Sequence, residues 1–443
     1  MYVCGVTPYE DSHLGHAMSY IIFDVIRRHL EFRGYRVKHV QNFTDIDDKI
    51  ILRAASHGVS PQNLVEGLIA QYFIDMDALN IQRAHVYHRA TQEIPEMIQM
   101  IKTLIDKGHA YQANGDVYFR VESMPEYGKL SNRTLDGMVV GARLEVGEKK
   151  KHPMDFALWK EAKAGEPYWD SPWGKGRPGW HMECSTMALK YLETDTLDIH
   201  GGGQDLIFPH HENEIAQSEC FTGVTPFIQY WIHNGLMQLG EEKMSKSVGN
   251  LITVKAALSR YGADAIRLFV LSSYYRSPLK YSEDSLSAMQ RGAARLRNAA
   301  RMESPGAGDG TSVEPEPYRQ RFLESMDDDF NTSQAVAALF DLAREINKGY
   351  EAGAGTTGAI KTLRELAGLL GLTLEEEARE KYLAAEPFIN LLISTRDELR
   401  EAKQWDLADK IREELERLGV ALEDTSKGTL WKHKEENPPP DLA

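Results

Sequence analysis

Two short motifs contain residue types that suit chemistry on a phosphate chain. His13-Leu14-Gly15-His16 lies near the start of the chain, and Lys243-Met244-Ser245-Lys246-Ser247 lies in the middle. Imidazole and ammonium groups contact phosphate oxygens, and a helix that begins at Gly15 would direct free backbone N–H groups at the same ligand. Together they predict nucleotidyl transfer, in which a substrate carboxylate attacks the α-phosphate of ATP and pyrophosphate leaves.

The two motifs supply the candidate catalytic residues. We expect His13, His16, Lys243 and Lys246 to act in catalysis, and Gly15 to let the backbone approach the nucleotide. ATP would be contacted by His13, Gly15, His16 and Lys246. Each motif alone also occurs by chance, and the second could be an exposed basic loop. Both motifs in this order, with a strand before the first, are far more specific.

The elements around the first motif predict a parallel sheet. Met1–Cys4 is a short apolar strand, and Met18, Ile21, Ile22, Val25 and Ile26 then recur at helical spacing until Gly34. Arg36–Phe43 is predicted as a second strand. A strand–helix–strand unit of this length implies parallel strands joined by a right-handed crossover.

The rest of the chain predicts further strands and then helices. Buried strands are expected at Leu197–Ile199, before Gly201-Gly202-Gly203, and at Tyr230–Ile232. The composition becomes helical from about Leu251, with a linker at Glu303–Pro317. We expect helices at Phe322–Asn347 and Ile360–Leu370, and a single long amphipathic helix from Leu399 to Leu418.

Bulk composition excludes some classes of protein. The 443 residues suit several domains, 42% are hydrophobic, and no run of about 18 apolar residues predicts a membrane span. The three cysteines are too few for a disulfide framework, so we expect a reducing cytoplasmic compartment. The net charge of −15 weighs against a nucleic-acid partner, although local basic clusters matter more.

Several longer segments resemble one family closely. The histidine and lysine motifs are similar to those of the class I aminoacyl-tRNA synthetases, and the chain resembles cysteinyl-tRNA synthetases nearly end to end. The segments that carry this resemblance are Tyr2–Gly5, Asn42–Lys49, Asp155–Lys160, Gly179–Cys184, Phe208–Glu214, Leu422–Thr425 and Gly428–Trp431. Family members usually carry a further segment before Tyr2, so we expect either an internal start at Met1 or a sheet without one edge element.

The resemblance implies an α/β fold with a Rossmann-type parallel-sheet catalytic domain and an insertion domain, followed by an α-helical bundle and a small C-terminal anticodon-binding domain. We expect the catalytic domain at 1–85 and 175–250, with the insertion for the acceptor end at 86–174. A helical region that contacts the RNA stem is expected at 251–300, the bundle at 301–385, and the anticodon-binding domain at 386–443.

The resemblance also implies a set of ligands. A zinc ion would recognise the substrate thiol, held by Cys4, Cys184, His210 and Glu214. Cys4, Thr44 and Trp180 would line the pocket for L-cysteine, and Gly202 and Asp205 would hold the adenosine of ATP, which acts with Mg²⁺. Cys220 matches no ligand and is expected to be structural.

Spacing by itself supports only part of this set. His210 and Glu214 stand four residues apart, so on a helix they share one face and can bind one metal ion. The segment lacks the second histidine of a zinc-protease motif. Cys4 and Cys184 taken singly could be small buried hydrophobes, and Trp180 could be a core residue.

The implied RNA partner is tRNA(Cys), and the family is often monomeric. Arg291, Arg295, Arg297 and Arg301 recur along one predicted helix, and Trp431 could stack on a base near the anticodon. Basic residues of the C-terminal helix alternate with acids, which a solvated face explains better than RNA binding does.

Two other functions remain open at this point. Mycothiol-type ligases share a cysteine-adenylating core and join cysteine to an amino sugar, but they lack a C-terminal anticodon-binding region and depart from the pattern His211–Glu214. A non-catalytic RNA-binding paralogue is disfavoured by the intact motifs. Cysteine-dependent ATP–pyrophosphate exchange and tRNA charging would discriminate among the three.

Overall fold

The computed structural model describes residues 1–139, 150–239, 242–243, 252–302, 312–375, 378–425 and 428–433. The chain divides into two compact units, Met1–Leu374 and Glu375–Ala443. The strands of the larger unit are β1 (Tyr2–Val3), β2 (Val40–Phe43), β3 (Val86–Arg89), β4 (Ala110–Ala113), β5 (Asp116–Phe119), β6 (Phe156–Glu161), β7 (Gly176–Pro178), β8 (Leu197–Gly203), β9 (Ile228–Asn234), β10 (Met237–Leu239), β11 (Glu242–Lys243) and β12 (Leu279–Tyr281).

The larger unit also contains most of the helices. They are α1 (Leu14–Phe32), α2 (Asp48–His57), α3 (Pro61–Ala78), α4 (Ile94–Asp106), α5 (Leu135–Val139), α6 (Trp180–Leu192), α7 (Glu212–Thr222), α8 (Val254–Arg260), α9 (Ala263–Leu271), α10 (Glu283–Arg301), α11 (Glu316–Asp327), α12 (Thr332–Glu351) and α13 (Thr357–Leu369).

The central sheet has five parallel strands in the order β3-β2-β1-β8-β9. The strand that follows Met1 is therefore in the middle of the sheet, between β2 and β8. Tyr2 and Val40 pack into a core on one side, and Val3 and Phe43 pack into a core on the other. Because both faces are covered, the predicted α/β class with a parallel sheet is confirmed.

Helix α1 follows β1 as the hydrophobic spacing predicts. Its apolar side chains Met18, Ile21, Ile22, Val25 and Ile26 are all buried, and Gly34 with φ of +90° lies just beyond its end. The second strand is shorter than predicted, since β2 begins at Val40 rather than Arg36.

Strand β8 continues through the three glycines that the sequence placed after it. The reason is close packing, because a Cβ at Gly201 would lie 2.1 Å from the ring of Phe23. All three glycines are strand residues, and Gly201 lets α1 approach the sheet.

The segment between the halves of the parallel sheet has a sheet of its own. Strands β4, β5, β6 and β7 are antiparallel neighbours in that order. Helix α4 packs beside them, and Phe119, Leu158 and Trp159 are buried in the shared core. The mixed helix and strand content predicted for this insertion is present.

Helices α8 to α13 form a helical extension, of which α8, α9 and α13 pack on α1. One correction concerns the helix predicted at Phe322–Asn347, because α11 ends at Asp327 and α12 begins at Thr332. Asp329 and Phe330 have φ of 48° and 53°, and the side chain of Asn331 accepts from the backbone N–H of Gln334. Left-handed residues followed by an N-cap break the helix in two.

The smaller unit contains α14 (Ala378–Glu401), α15 (Trp405–Arg417), and a hairpin of β13 (Val420–Thr425) and β14 (Gly428–His433). The single helix predicted from Leu399 to Leu418 is wrong, because Lys403 with φ of 56° separates α14 from α15. Ile389, Ile393, Leu415 and Val420 form the small core of this unit. No helix among the described residues is long and apolar enough to cross a bilayer.

Candidate active site

The carboxyl ends of the parallel strands gather the candidate site residues at one edge of the sheet. Cys4 follows β1, Thr44 follows β2, Gly203 ends β8 and Asn234 ends β9. Ligands of open parallel sheets bind at this edge, where the strand order changes direction.

The histidine motif forms the N-terminus of α1. The backbone N–H of His16 donates to Nδ1 of His13 at 3.3 Å, and the N–H of His13 donates to Nδ1 of His16 at 3.4 Å. The rings stack with centroids 3.7 Å apart. Because each Nδ1 accepts, the neutral rings carry their proton on Nε2. Gly15 suits this arrangement, since a Cβ there would lie 3.0 Å from the His13 ring.

The lysine motif lies largely outside the described residues. Lys243 belongs to β11, where only the backbone is described, and Lys246 is not among the described residues. The segment that follows the lysine motif, Ile252–Val254, forms backbone hydrogen bonds with the histidine motif. The N–H of Leu14 donates to the carbonyl of Ile252 at 2.9 Å, and the N–H of Val254 donates to that of Ser12 at 2.8 Å. The segment just after the lysine motif therefore reaches the start of α1.

The four residues implied as zinc ligands meet in one buried cluster. Cys4, Cys184, His210 and Glu214 each offer a donor atom within 4.8 Å of the others. The Sγ of Cys4 lies 3.7 Å from that of Cys184 and 3.9 Å from Oε1 of Glu214. His210 Nε2 lies 2.9 Å from the same carboxylate oxygen. The i,i+4 pair expected from the sequence therefore does converge on one point.

This donor set fits zinc. With Zn–S bonds of about 2.3 Å, two thiolates on a tetrahedral ion stand about 3.8 Å apart, close to the 3.7 Å between Cys4 and Cys184. Two thiols, an imidazole and a carboxylate suit zinc better than a hard cation that prefers oxygen. All four residues are buried. A buried group of this kind is expensive unless its members bind each other or a metal.

A second donor set overlaps the first, and the sequence reasoning missed it. Cys4, His200, His211 and Glu214 also lie within 4.8 Å of one another. His200 Nε2 lies 2.8 Å from Oε2 of Glu214, and His211 Nε2 lies 3.3 Å from the Sγ of Cys4. We favour the set with two thiols and read His200 and His211 as groups that orient Glu214 and Cys4. Only the tertiary fold brings this second set together, because His200 lies on β8 and His211 lies at the start of α7.

The electrostatics of the cluster favour a proton on the His210 ring and on the Cys4 thiol, and favour the deprotonated forms of Cys184 and Glu214. A hydrogen bond from Cys4, opposed by burial, lowers the pKa of Cys184 to about 6. Burial would lower the pKa of His210, but Glu214 raises it to about 10. Against the effect of burial, His200 and His210 hold the pKa of Glu214 well below its usual range. Burial raises the pKa of Cys4 well above its usual range.

Thr44 and Trp180 both lie beside this cluster. The Thr44 hydroxyl donates to Oε2 of Glu183 at 2.7 Å, next to Cys184 in the chain. Trp180 begins α6 and stacks on His210 with ring centroids 4.2 Å apart. Trp180 is 40% exposed, so it is not an ordinary core residue. Glu183 is fully buried beside this pocket, although the sequence reasoning did not single it out.

Gly202 and Asp205 lie at the end of β8, on the same edge of the sheet. A Cβ at Gly202 would lie 2.8 Å from Leu206 and 3.2 Å from the ring of His211. Asp205 is exposed in the 3₁₀ turn Gln204–Leu206. The space beside Gly202 is therefore filled by Leu206 and His211, whereas the exposed carboxylate of Asp205 can accept a hydrogen bond from a ribose hydroxyl. Cys220, on α7, belongs to neither donor set.

The candidate RNA-contacting residues have mixed surroundings. Arg291 and Arg295 are exposed on α10, and the guanidinium of Arg295 lies 5.1 Å from the ring centroid of Phe340. Arg297 is only 4% exposed, so it does not belong to a basic surface with them. On β14, Trp431 packs against the small core, and its Nε1 donates to Asn390 at 3.2 Å. Its stacking role stays a prediction.

Comparison with known proteins places the chain in a class. Residues 1–291 match the family model of the tRNA synthetases class I (C) catalytic domain, and residues 321–375 match the DALR domain. A methionyl-tRNA synthetase of Mycobacterium tuberculosis in complex with methionyl-adenylate has a similar fold, with a TM-score of 0.60 at 18% identity over 84% of this chain and 87% of that one. The fold and the site together define a class I aminoacyl-tRNA synthetase.

Curated relatives narrow the class to one family. A cysteine–tRNA ligase of Dehalococcoides mccartyi is 59% identical over 98% of this chain and 94% of its own length. That of Heliobacterium modesticaldum is 49% identical over 98% and 94%. Residues 386–431 match the cysteinyl-tRNA ligase anticodon binding domain. The chain belongs to the cysteine–tRNA ligase family.

Proposed function

We propose that the chain activates L-cysteine with ATP and Mg²⁺ to cysteinyl-adenylate and transfers cysteine to the 3′ end of tRNA(Cys). The thiol would be selected by a zinc ion held by Cys4, Cys184, His210 and Glu214. One observation carries this proposal. The buried donor cluster and the phosphate-binding end of α1 are joined by a single loop, with Cys4 and His13 at its two ends.

The phosphate chemistry would depend on the N-terminus of α1. The Nε2–H groups of His13 and His16, at the positive end of the α1 dipole, would donate to the phosphates of ATP as negative charge builds up. Lys243 and Lys246 would add positive charge from the second motif. Gly202 and Asp205 would hold the adenosine at the end of β8. These residues position the reactants and stabilise charge, and none needs to form a covalent bond.

Recognition of the amino acid would depend on the cluster and its neighbours. When bound, zinc supplies a direct bond to the substrate sulfur, for which serine oxygen is a poor substitute. Thr44 and Trp180 would close the pocket around the rest of the substrate. A purely apolar pocket separates cysteine from serine poorly, so selection by bond type makes a separate editing site unnecessary.

The two cysteines of the cluster also indicate the compartment in which the protein acts. We infer a reducing cytoplasmic compartment, because Cys4 and Cys184 must stay reduced although their sulfurs lie 3.7 Å apart. The monomeric state and the contacts of Arg291, Arg295 and Trp431 with tRNA remain predictions.

Cysteine-dependent charging of tRNA(Cys), with and without prior removal of zinc, tests the proposal. The metal-loaded protein is expected to charge tRNA with cysteine, and the stripped protein to recover this activity when zinc is restored. Charging that needs no metal would refute zinc selection. Absence of cysteine-dependent charging by the zinc-loaded protein would refute the function itself.

A further inference from the structure

Glu212 is a buried carboxylate that neither donor set uses. It lies in the first turn of α7, two residues before Glu214, and is 0% exposed. Its Oε1 accepts from the N–H of Gly128 at 3.0 Å and of Leu130 at 3.4 Å, and its Oε2 accepts from that of Ser131 at 2.8 Å. Three N–H donors from one loop therefore compensate its burial.

The loop that Glu212 binds is part of the insertion, between β5 and β6. We refer to residues 126–133 as the pinned loop. The hydroxyl of Tyr127 donates to Asn213, and the ammonium of Lys129 lies 2.7 Å from Oε2 of Glu219, so α7 holds the loop at three positions. The N–H of Arg133 closes the loop on the carbonyl of Gly128 at 3.0 Å.

Only glycine fits at position 128, where the hydrogen bond from Arg133 closes the loop. Gly128 has φ of +101°, and a Cβ there would lie 2.0 Å from the carbonyl oxygen of Arg133. The pinned loop thus has a tight conformation that is fixed to the helix carrying Glu214.

The pinned loop places Arg133 next to the candidate metal site. Its guanidinium lies 4.7 Å from the ring centroid of Phe208, two residues before His210. Both side chains line a cavity of about 540 Å³ between the insertion and α7. His181 also lines this cavity, and its Nδ1 lies 3.0 Å from that of His210. The cavity therefore borders a residue that contacts a candidate zinc ligand.

We propose that Glu212 is a positioning residue for the RNA-dependent half of the reaction. It fixes the pinned loop so that Arg133 and Phe208 receive the single-stranded 3′ end of the RNA beside the thiol site. This inference rests on the proposed function.

The chemistry of the cavity matches this ligand. A guanidinium binds phosphate through paired hydrogen bonds, and aromatic and guanidinium planes stack on unpaired bases. Arg133 is exposed and Phe208 is half-buried. A volume of about 540 Å³ is in the range of nucleotide-sized sites. Activation of cysteine involves no RNA, so it does not need this contact.

Two substitutions separate the two halves of the reaction. Glu212→Gln keeps the shape but replaces one acceptor oxygen with an NH₂ group that faces an N–H donor. We expect cysteine-dependent ATP–pyrophosphate exchange within about twofold of wild type, and kcat/KM for tRNA charging lowered about tenfold or more. Arg133→Ala, at an exposed position that leaves the fold intact, should show the same separation.

The double variant tests whether Glu212 acts through Arg133. If Glu212 acts through Arg133, both substitutions disrupt the same contact with RNA. The double variant should then charge tRNA no more slowly than the slower of the two single variants. Glu126→Gln is the matched control. It removes a charge on the same loop, where Glu126 is exposed and its Oε2 lies 3.3 Å from the ammonium of Lys129. Both activities should stay at wild-type level in this control.

Several outcomes would overturn the inference. Exchange that falls in parallel with charging, or a loss of bound zinc in Glu212→Gln, would show that Glu212 only supports α7. Normal charging by Arg133→Ala, or additive losses in the double variant, would show that the loop does not act through Arg133. If the wild-type protein shows no cysteine-dependent exchange, the proposed function itself is refuted. This result differs from failure of the inference, in which wild-type exchange is normal.

Discussion

Cys4 and Glu214 contact two histidines, His211 and His200, in addition to the ligands that the sequence predicted. The resemblance to a family placed four ligands together, and the structure brings their donor atoms within 4.8 Å. Spacing alone could relate only His210 to Glu214, because they share one helix face. His200 was missed, and His211 and Glu212 were recognised only as part of the family pattern His211–Glu214. Their contacts could not be predicted because they join distant segments, as when Glu212 binds backbone N–H groups more than eighty residues earlier.

Removal of one thiol should abolish metal binding and cysteine activation together. In Cys184→Ser, a weaker oxygen ligand replaces a thiolate whose partner lies 3.7 Å away. We expect zinc content to fall well below one equivalent by elemental analysis, and cysteine-dependent exchange to fall at least about 100-fold. Cys220→Ser is the matched control, and it should retain both zinc and activity. Full zinc occupancy in Cys184→Ser would contradict the assignment.

Close packing at Gly5 makes a strong prediction for stability. A Cβ at Gly5 would lie 1.5 Å from the carbonyl oxygen of Asn42, so β1 and β2 would have to separate. Gly5→Ala should lower the free energy of unfolding by about 2–4 kcal/mol in urea titrations. Gly67→Ala is the control, because no atom lies within 4 Å of its added Cβ on α3. It should gain about 0.5–1 kcal/mol. Equal stabilities of the two variants would show that this packing is wrong.

Elements were predicted well where one hydrophobic period runs without interruption. Helix α1 and the parallel strands β1, β2, β8 and β9 followed from such patterns, whereas β3 was not predicted. The sequence failed where a turn interrupts a continuous pattern, at Asp329–Phe330 and at Lys403, because left-handed backbone at non-glycine residues leaves little trace in composition. The β13–β14 hairpin was also missed, since Val420, Ala421 and Leu422 are consecutive apolar residues and show no alternation of apolar and polar side chains.

The hairpin of the smaller unit is held by an ion pair with a defined pH dependence. Arg396 is only 2% exposed in its side chain and binds both carboxylate oxygens of Asp424 at 2.9 Å. This contact lowers the pKa of Asp424 well below its usual range. The folded pKa is therefore below that of the unfolded chain. The pair stabilises fully above about pH 4 and loses this contribution as pH falls toward the folded value.

Substitution of Asp424 should reveal that dependence. In thermal unfolding of the full chain, Asp424→Asn should lower the melting temperature of the smaller unit by the same amount from pH 8 to about pH 5. The difference should narrow below about pH 4. Glu398→Gln, an exposed carboxylate on α14, should change little at any pH. A difference between Asp424→Asn and wild type that grows on acidification would contradict the ion-pair account.

At the scale of the whole molecule, the candidate metal site and the match to the anticodon binding domain lie in different units of the chain. All donor residues of the cluster lie within Met1–Leu374, whereas the match to the anticodon-binding domain lies within Glu375–Ala443. The sequence predicted this order of domains through the family resemblance. Its finer domain boundaries stay predictions.

Removal of zinc should therefore destabilise one unit only. A ligand that binds only the folded state raises stability, and stripping it removes that contribution. Calorimetry of the full chain should show a chelator lowering the melting temperature of the larger unit, while the transition sensitive to Asp424→Asn stays in place. Equal shifts of both transitions, or no shift in either, would refute a zinc site confined to the larger unit.

The most direct test of the account is equilibrium binding of cysteine and of serine to the zinc-loaded protein. We predict that cysteine binds at least about 100-fold more tightly than serine, and that removal of zinc abolishes most of this difference. Comparable affinities for the two amino acids in the zinc-loaded protein would contradict thiol selection by the Cys4, Cys184, His210 and Glu214 site.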